Sequence, residues 1–148
     1  MKKIRIVSKE PCLIINRGAF HDDKLVYILV ANKKYRYGYG LKSRIIYIGT
    51  TKRGADRFAV SAVERGKSIL QYHGITQLKV YTVTCKGVRG AKTWRKLEDA
   101  FLYNFHEYYS CKPLLNKRRG PTRKEKIDSS FPEAKIEKII DYFSNFKS

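Results

Sequence analysis

Glu98 lies among apolar residues in WRKLEDAFLYNFHEYY, a segment with the hydrophobic periodicity of a helix. Its neighbours three and four positions away are Trp94, Phe101 and Leu102. Placing a charge at the edge of such an apolar stripe costs free energy unless the charge is paired or binds a ligand. A metal ligand or an acid–base group would explain this carboxylate, and so would a salt bridge to Arg95 or Lys92, or simple exposure.

Two tyrosines and an arginine are candidates for the remaining groups of a catalytic site. Tyr47 lies near the end of a β-rich run in RIIYIGTTKRGADRF, and Arg57 follows ten positions later, beyond a basic turn. Tyr27 lies in the preceding β-rich run, KLVYILVA. A phenol can exchange a proton, and a guanidinium is a planar cation that stays charged. None is diagnostic alone, because tyrosines are ordinary sheet residues and Arg57 could pair with Glu64.

The hydrophobic pattern predicts the strands that carry these tyrosines. Both runs are apolar on two faces, which is typical of central strands, and residues 78–84 form another β-rich segment. Residues 3–7 and 12–16 are shorter β-rich runs. Residues 32–43, rich in glycine, lysine and tyrosine, are expected to form an elaborated hairpin loop.

Helical segments complete an α+β domain. They are predicted from residue 55 to a stop at Gly66, over residues 94–109, and over about residues 131–146 after a capping box from Ser130 to Glu133. We therefore expect one domain, residues 1–148, with a small and mostly antiparallel sheet flanked by helices.

Composition limits the partners. The chain has 148 residues, is 43% hydrophobic, and carries a formal net charge of +19. So large a charge repels itself in the compact state and predicts a polyanionic partner, nucleic acid first and an anionic membrane second. No apolar run approaches the roughly 18 residues of a membrane span, and MKKIRIVSKEP lacks the apolar block of a signal peptide. Three scattered cysteines without a C-x-x-C pair indicate a reduced, cytoplasmic setting and no zinc site.

Taken in chain order, the candidate residues resemble the GIY-YIG nuclease superfamily. The resemblance is carried by LVY (25–27), YIG (47–49), Arg57, Glu98 and the Asn116 that ends KPLLN, and it spans about residues 25–120. The sequence departs from the family at three positions. Leu25 replaces the first motif glycine, Thr50 stands where a lysine often follows the second motif, and Ser61 stands where a histidine is sometimes found.

The resemblance implies a stand-alone nuclease domain, like a restriction or homing endonuclease, that hydrolyses phosphodiester bonds in double-stranded DNA. Glu98 would hold one divalent ion, Mg²⁺ or Mn²⁺, whose other ligands are water and the substrate phosphate. Arg57 would bind the non-bridging phosphate oxygens. Asn116 would orient the Glu98 helix or a neighbouring loop by hydrogen bonding.

Proton handling falls to the tyrosines in this family. Tyr27, with Tyr47 beside it, is expected to activate the attacking water. The positive charge of Lys52, Arg53 and the metal would favour the phenolate. Lys52 is also a catalytic candidate, because Lys52 and Arg53 are possible substitutes for the lysine that Thr50 replaces.

Two basic segments, residues 32–44 and residues 116–126, predict a DNA footprint. In residues 32–44 lysines and arginines alternate with Tyr35, Tyr37 and Tyr39, so cations would contact phosphates while rings stack on or wedge against bases. The candidate DNA-binding residues are Lys33, Lys34, Tyr35, Arg36, Tyr37, Lys42, Arg44, Arg53, Lys117, Arg118, Arg119, Arg123 and Lys124.

Two other classes of protein stay open. A basic RNA-binding or ribosome-associated protein would explain the charge without needing the tyrosines, arginine and glutamate together. A catalytically inactive GIY-YIG-like DNA-binding module would accommodate Leu25 and Thr50. Metal-dependent cleavage of DNA distinguishes the enzyme from both.

Overall fold

The computed structural model describes residues 24–52, 55–69, 71–72, 74–85 and 92–145, and describes residues 55–58 as backbone only. Its elements are strands β1 (Leu25–Arg36), β2 (Lys42–Thr51) and β3 (Leu78–Val83), and helices α1 (Ala55–Ile69), α2 (Thr93–Tyr109) and α3 (Glu133–Asn145). Short 3-10 turns occupy Gly38–Gly40 and Lys124–Lys126. The predicted α+β class is confirmed. The β-rich runs at residues 3–7 and 12–16 lie outside the described residues.

The three strands form an antiparallel sheet in the order β2-β1-β3. The first seven residues of β1 are all buried, which explains their unbroken apolar sequence. Tyr27 lies opposite Gly49 on β2 and opposite Thr82 on β3. β2 was expected to be central as well, but within residues 24–145 as described it forms one edge of the sheet.

Helices cover both faces of the sheet. α2 and α3 pack on one face, where Phe101 and Phe105 meet Ile28 and Ile48. The other face carries Tyr27, Leu29 and Ile46 and packs against Ile69 near the end of α1. No helix in the described part of the chain is long and apolar enough to cross a membrane.

The predicted loop at residues 32–43 is wrong, because strands occupy most of it. β1 continues to Arg36, β2 begins at Lys42, and the short turn between them includes Gly38–Gly40. β1 places residues 31–34 opposite Arg44 alone, since Val30 pairs with Ile45 and Tyr35 pairs with Ser43. The extra residues thus form a bulge within the strand.

Two helix boundaries also differ from the prediction. α1 runs through Gly66 to Ile69, because the buried Ile69 side chain packs on the sheet and outweighs the roughly 1 kcal/mol cost of a glycine in a helix. α3 begins at Glu133, with the Lys135 and Ile136 amides donating to the Pro132 carbonyl, so Ser130 does not cap it.

A buried hydroxyl cluster joins α2, α3 and β2. The Oγ atoms of Ser43 and Ser144 lie 2.7 Å apart, and neither side chain is exposed. The Ile45 amide donates to Ser43 Oγ at 3.0 Å, and the Tyr109 hydroxyl lies within hydrogen-bonding reach of both serines. These polar groups satisfy one another in a dry core, as buried groups must.

Replacing Ser144 with alanine tests this cluster. The substitution leaves Ser43 and Tyr109 short of a partner without access to water, so the free energy of unfolding should fall by about 1–3 kcal/mol. Urea denaturation measures it. Ser129→Ala, at an exposed position, is the matched control and should leave the midpoint unchanged. An unchanged midpoint for Ser144→Ala would contradict the buried network.

Candidate active site

Two tyrosine rings meet above Gly49. The rings of Tyr27 and Tyr47 have centroids 5.7 Å apart and planes tilted by 36°. A Cβ added to Gly49 would lie 2.5 Å from Tyr47 Cε1 and 2.9 Å from Tyr27 Cζ, far inside van der Waals contact. Because glycine has no side chain, both rings fit over position 49, and this explains why the YIG motif has a glycine there.

Tyr27 is the inner member of the pair. Its side chain is only 3% exposed, and its hydroxyl lies within hydrogen-bonding reach of Ser61 on α1 and of Tyr47. Burial raises the pKa of the Tyr27 phenol, and the opposing effect of Arg65 is smaller. The expectation that Lys52, Arg53 and a metal ion favour a Tyr27 phenolate stays a prediction, because Arg53 lies outside the described residues.

Tyr47 is the outer member, partly exposed, and Arg65 packs on it. The Arg65 guanidinium carbon lies 4.8 Å from the Tyr47 ring centroid, within the range of a cation–π contact. Arg65 Nε is buried and has no hydrogen-bond partner among the described residues. Sequence reasoning missed Arg65.

The spacing of residues along α1 could have identified Arg65 from the sequence. Arg57, Ser61 and Arg65 lie four residues apart, so α1 presents all three positions on one side. The backbone of Arg57 is part of α1, but its side chain and the whole of Arg53 lie outside the described residues. Lys52 is exposed just beyond the end of β2.

Glu98 is buried on α2 and paired with Arg118. The carboxylate is 8% exposed, and Arg118 Nη2 donates to Glu98 Oε2 at 3.1 Å while Nη1 donates to Asp99 Oδ1 at 3.0 Å. The partner is neither Arg95 nor Lys92, the two that helical spacing suggested. Burial raises the pKa of the Glu98 carboxyl despite the neighbouring guanidinium.

Asn116 fixes the segment that carries Arg118. Its Nδ2 donates to the Ile48 carbonyl at 2.7 Å, and its Oδ1 accepts from the Ile48 amide at 2.9 Å. The Leu115 amide donates to the Ile46 carbonyl at 2.9 Å. The segment is therefore bound along the outer edge of β2, next to Tyr47. Asn116 thus links the strand that bears Tyr47 to the loop that holds Glu98, a structural role of the kind expected for it.

Two residues predicted to bind DNA form hydrogen bonds within the fold. Tyr37 is buried, its hydroxyl donates to the Ile45 carbonyl at 2.7 Å, and its ring is not available to stack on a base. Arg44 donates to the Ala31 and Asn32 carbonyls and holds the bulge of β1. The stacking predicted for Tyr37 is wrong because its ring is buried, whereas contact of the partly exposed Arg44 with DNA stays a prediction.

Other candidates have partners within the protein but remain accessible. Arg118 belongs to this group, with 58% of its side chain exposed. Lys34 donates to Asn145, Lys124 pairs with Glu133, and the Tyr35 ring packs edge-on against Tyr37 and Tyr72. The remaining exposed candidates are Lys33, Arg36, Lys42, Lys117, Arg119 and Arg123.

The carboxylates fit a single hard cation better than a complete protein cage. No three His, Cys, Asp or Glu side chains cluster among the described residues. One oxygen of Glu98 and one of Asp99 each bind the Arg118 guanidinium, so the two carboxylates already share one positive charge. Mg²⁺ commonly takes one or two carboxylates and completes its shell with water and phosphate. One such ion at Glu98 would have to replace Arg118 as the partner of the carboxylates, and its binding stays a prediction.

Comparisons of the chain with protein-family models, with curated proteins and with solved structures give no match. The resemblance to the GIY-YIG superfamily accordingly rests on the motif residues alone and stays a prediction.

Glu98→Gln should change how stability depends on pH. A raised carboxyl pKa means that the folded chain keeps this proton to a higher pH than the unfolded chain, so ionisation of Glu98 lowers wild-type stability as pH rises above the ordinary value of 4.5. Glutamine does not titrate. The melting temperature of Glu98→Gln minus that of wild type should therefore increase between pH 4 and pH 7 in thermal melts.

Glu137→Gln controls for loss of a surface charge, since Glu137 is exposed on α3. A Glu98→Gln difference that decreases towards neutral pH would mean that the Arg118 pairing outweighs the burial of the carboxylate.

Proposed function

We propose that this protein is a metal-dependent endonuclease that hydrolyses phosphodiester bonds in double-stranded DNA. The observation that carries the proposal is the pair of tyrosines packed over Gly49 on β2. Asn116 attaches to the same strand the loop whose Arg118 pairs with Glu98. The tyrosine pair lies on the face of the sheet that packs against α1, Glu98 lies on α2 on the other face, and Asn116 attaches the loop that carries Arg118 to β2 between them. The net charge of +19 supports a polyanionic substrate.

Tyr47, rather than Tyr27, is the residue proposed to accept the proton of the attacking water. Tyr47 is partly exposed, whereas the Tyr27 hydroxyl is buried and its pKa is raised. The Arg65 guanidinium carbon lies 4.8 Å from the centre of the Tyr47 ring, which places a cation beside the proposed base. Tyr27 then positions Tyr47 through the contact between their hydroxyls. This assignment reverses the order expected from the sequence.

Glu98 is the proposed ligand of one divalent ion, with Asp99 the adjacent carboxylate. When bound, such an ion stabilises charge on the phosphate and on the leaving oxygen. The water oxygen bonds to phosphorus and the bond to the bridging oxygen breaks. The leaving oxygen takes a proton from solvent, so the products are a phosphate monoester and a hydroxyl. Arg118, which is mostly exposed, leaves the carboxylate and pairs with a DNA phosphate instead.

A DNA-binding module without nuclease activity is the second candidate. Two observations favour it. Arg118 neutralises the proposed metal ligand, and the Thr50 hydroxyl donates to the Leu25 carbonyl at 3.0 Å, so it is engaged in the strand pair rather than facing a substrate. Both candidates bind DNA, and they differ in whether the divalent ion leads to strand cleavage.

Supercoiled plasmid incubated with and without Mg²⁺ tests the proposal. Wild type should convert it to nicked or linear forms only with the ion, and Glu98→Gln should abolish conversion, because the neutral amide loses the charge that holds the cation. Binding to the plasmid in EDTA should persist in the variant. Gel electrophoresis and a filter-binding assay give the two readouts.

Glu107→Gln, at an exposed position on the same helix, is the matched control and should cleave normally. Intact plasmid with wild type under every divalent ion, together with tight binding, would favour the non-cleaving module. Full cleavage by Glu98→Gln would end the assignment of Glu98 as the metal ligand.

The two tyrosines should respond differently to loss of the hydroxyl. Tyr47→Phe keeps the ring under Arg65 but removes the proton acceptor, so the cleavage rate should fall by about 10²–10⁴. Tyr27→Phe removes a positioning contact of about 1 kcal/mol, so the rate should fall by roughly tenfold or less. Single-turnover cleavage measures both rates. A larger loss in Tyr27→Phe would return the base role to Tyr27.

A further inference from the structure

Tyr39 is a large aromatic side chain that the fold does not use. It lies in the turn between β1 and β2 with 85% of its surface exposed. Its backbone has φ 56° and ψ 18°, a left-handed conformation that is uncommon for a bulky residue and costs about 1–2 kcal/mol. Burial does not offset this strain. A binding role for the ring would explain why it is held outward.

The turn beneath Tyr39 is firmly held. A Cβ on Gly38 would lie 2.4 Å from the Tyr109 carbonyl oxygen, so the turn sits directly on the end of α2. The Tyr37 amide donates to the Leu41 carbonyl at 2.7 Å, and the Tyr37 hydroxyl accepts from the Leu114 amide at 3.2 Å. Tyr39 is therefore presented from a rigid base, so little ordering of the turn is lost on binding.

Cations flank the ring. Arg36 and Lys42 pair across the hairpin next to the turn, and both are exposed. Neither forms an ion pair with a carboxylate in the described part of the chain. An exposed ring between two cations suits a ligand with a flat π-face bordered by phosphates, which is a base in a nucleic-acid strand. A protein partner would require a wider apolar surface than one ring and Leu41.

We propose that Tyr39 is a wedge that stacks on or inserts between bases of the bound DNA, while Arg36 and Lys42 contact the phosphates beside it. The proposal rests on the DNA-binding part of the proposed function. Lys42 and Tyr47 are five residues apart on β2, about 17 Å at ~3.3 Å per residue.

Affinity for a duplex oligonucleotide, measured in EDTA over a range of salt concentrations, tests the wedge. Tyr39→Ala should weaken binding by about 5- to 150-fold, because a stacked ring is lost. Tyr39→Trp, which keeps an aromatic ring, should bind with about wild-type affinity. The slope of log K against log salt should stay at roughly −5 for contact with about six phosphates, since no charge is removed. Tyr142→Ala, which truncates a tyrosine 57% exposed on α3, is the matched control and should bind like wild type.

Tyr39→Asn separates binding from folding. Asparagine tolerates the left-handed backbone, so this variant should melt at or above the wild-type temperature while binding as weakly as Tyr39→Ala. Duplexes with 2-aminopurine placed at successive positions should brighten on binding wild type and not on binding Tyr39→Ala, because insertion unstacks the probe.

The outcomes separate the wedge from the function on which it rests. A steep salt slope with equal affinities for wild type and Tyr39→Ala would overturn the wedge and leave DNA binding intact. A lower melting temperature in Tyr39→Asn would also overturn it, because the ring would then support the fold. Binding that is insensitive to salt would remove DNA as the ligand and both proposals with it.

Discussion

The register between β1 and β2 is the constraint on which the rest of the site depends. It places Tyr27 directly opposite Gly49, so that the one residue without a side chain lies where two rings converge. Strand side chains alternate with a period of two, so a slip of one residue would turn Tyr27 to the other face and bring a β-carbon under the rings. The unbroken apolar sequence of β1 resists such a slip only weakly. The bulge held by Arg44, together with the hydroxyl of Tyr37, specifies the register instead.

The buried carboxylate shows how a strongly basic chain handles a negative charge. Glu98 is too deeply placed to be solvated, and the protein compensates with a guanidinium from a loop 20 residues further along. That guanidinium remains mostly exposed, so separating the pair requires no opening of the core. In the proposed mechanism, the exchange of this carboxylate for a DNA phosphate would couple the charge state of the pocket to the bound polyanion.

Local patterns predicted the elements, and long-range contacts decided the roles. The helical stripe of α2, the two tyrosine strands and the α+β class follow from periodicity, which is a property of neighbouring residues. The pairing of Glu98 with Arg118 and the packing of Arg65 on Tyr47 depend on how separate segments meet, which periodicity does not encode. The DNA-stacking role predicted for Tyr37 was wrong for the same reason. The composition of a basic and aromatic segment does not show whether its rings face water or the core.

The attachment of Leu115 and Asn116 to β2 has a consequence for how copies of the protein behave together. Among the described strands β2 is an edge strand rich in isoleucine, and an uncovered edge of this kind is a template on which another chain can add a strand. Two carbonyls and one amide of that edge are already bonded, to the Leu115 backbone and to the Asn116 side chain. These three hydrogen bonds therefore also protect part of the β2 edge from pairing with a strand of another molecule. Detachment of Leu115 and Asn116 would thus favour aggregation before it unfolded the domain.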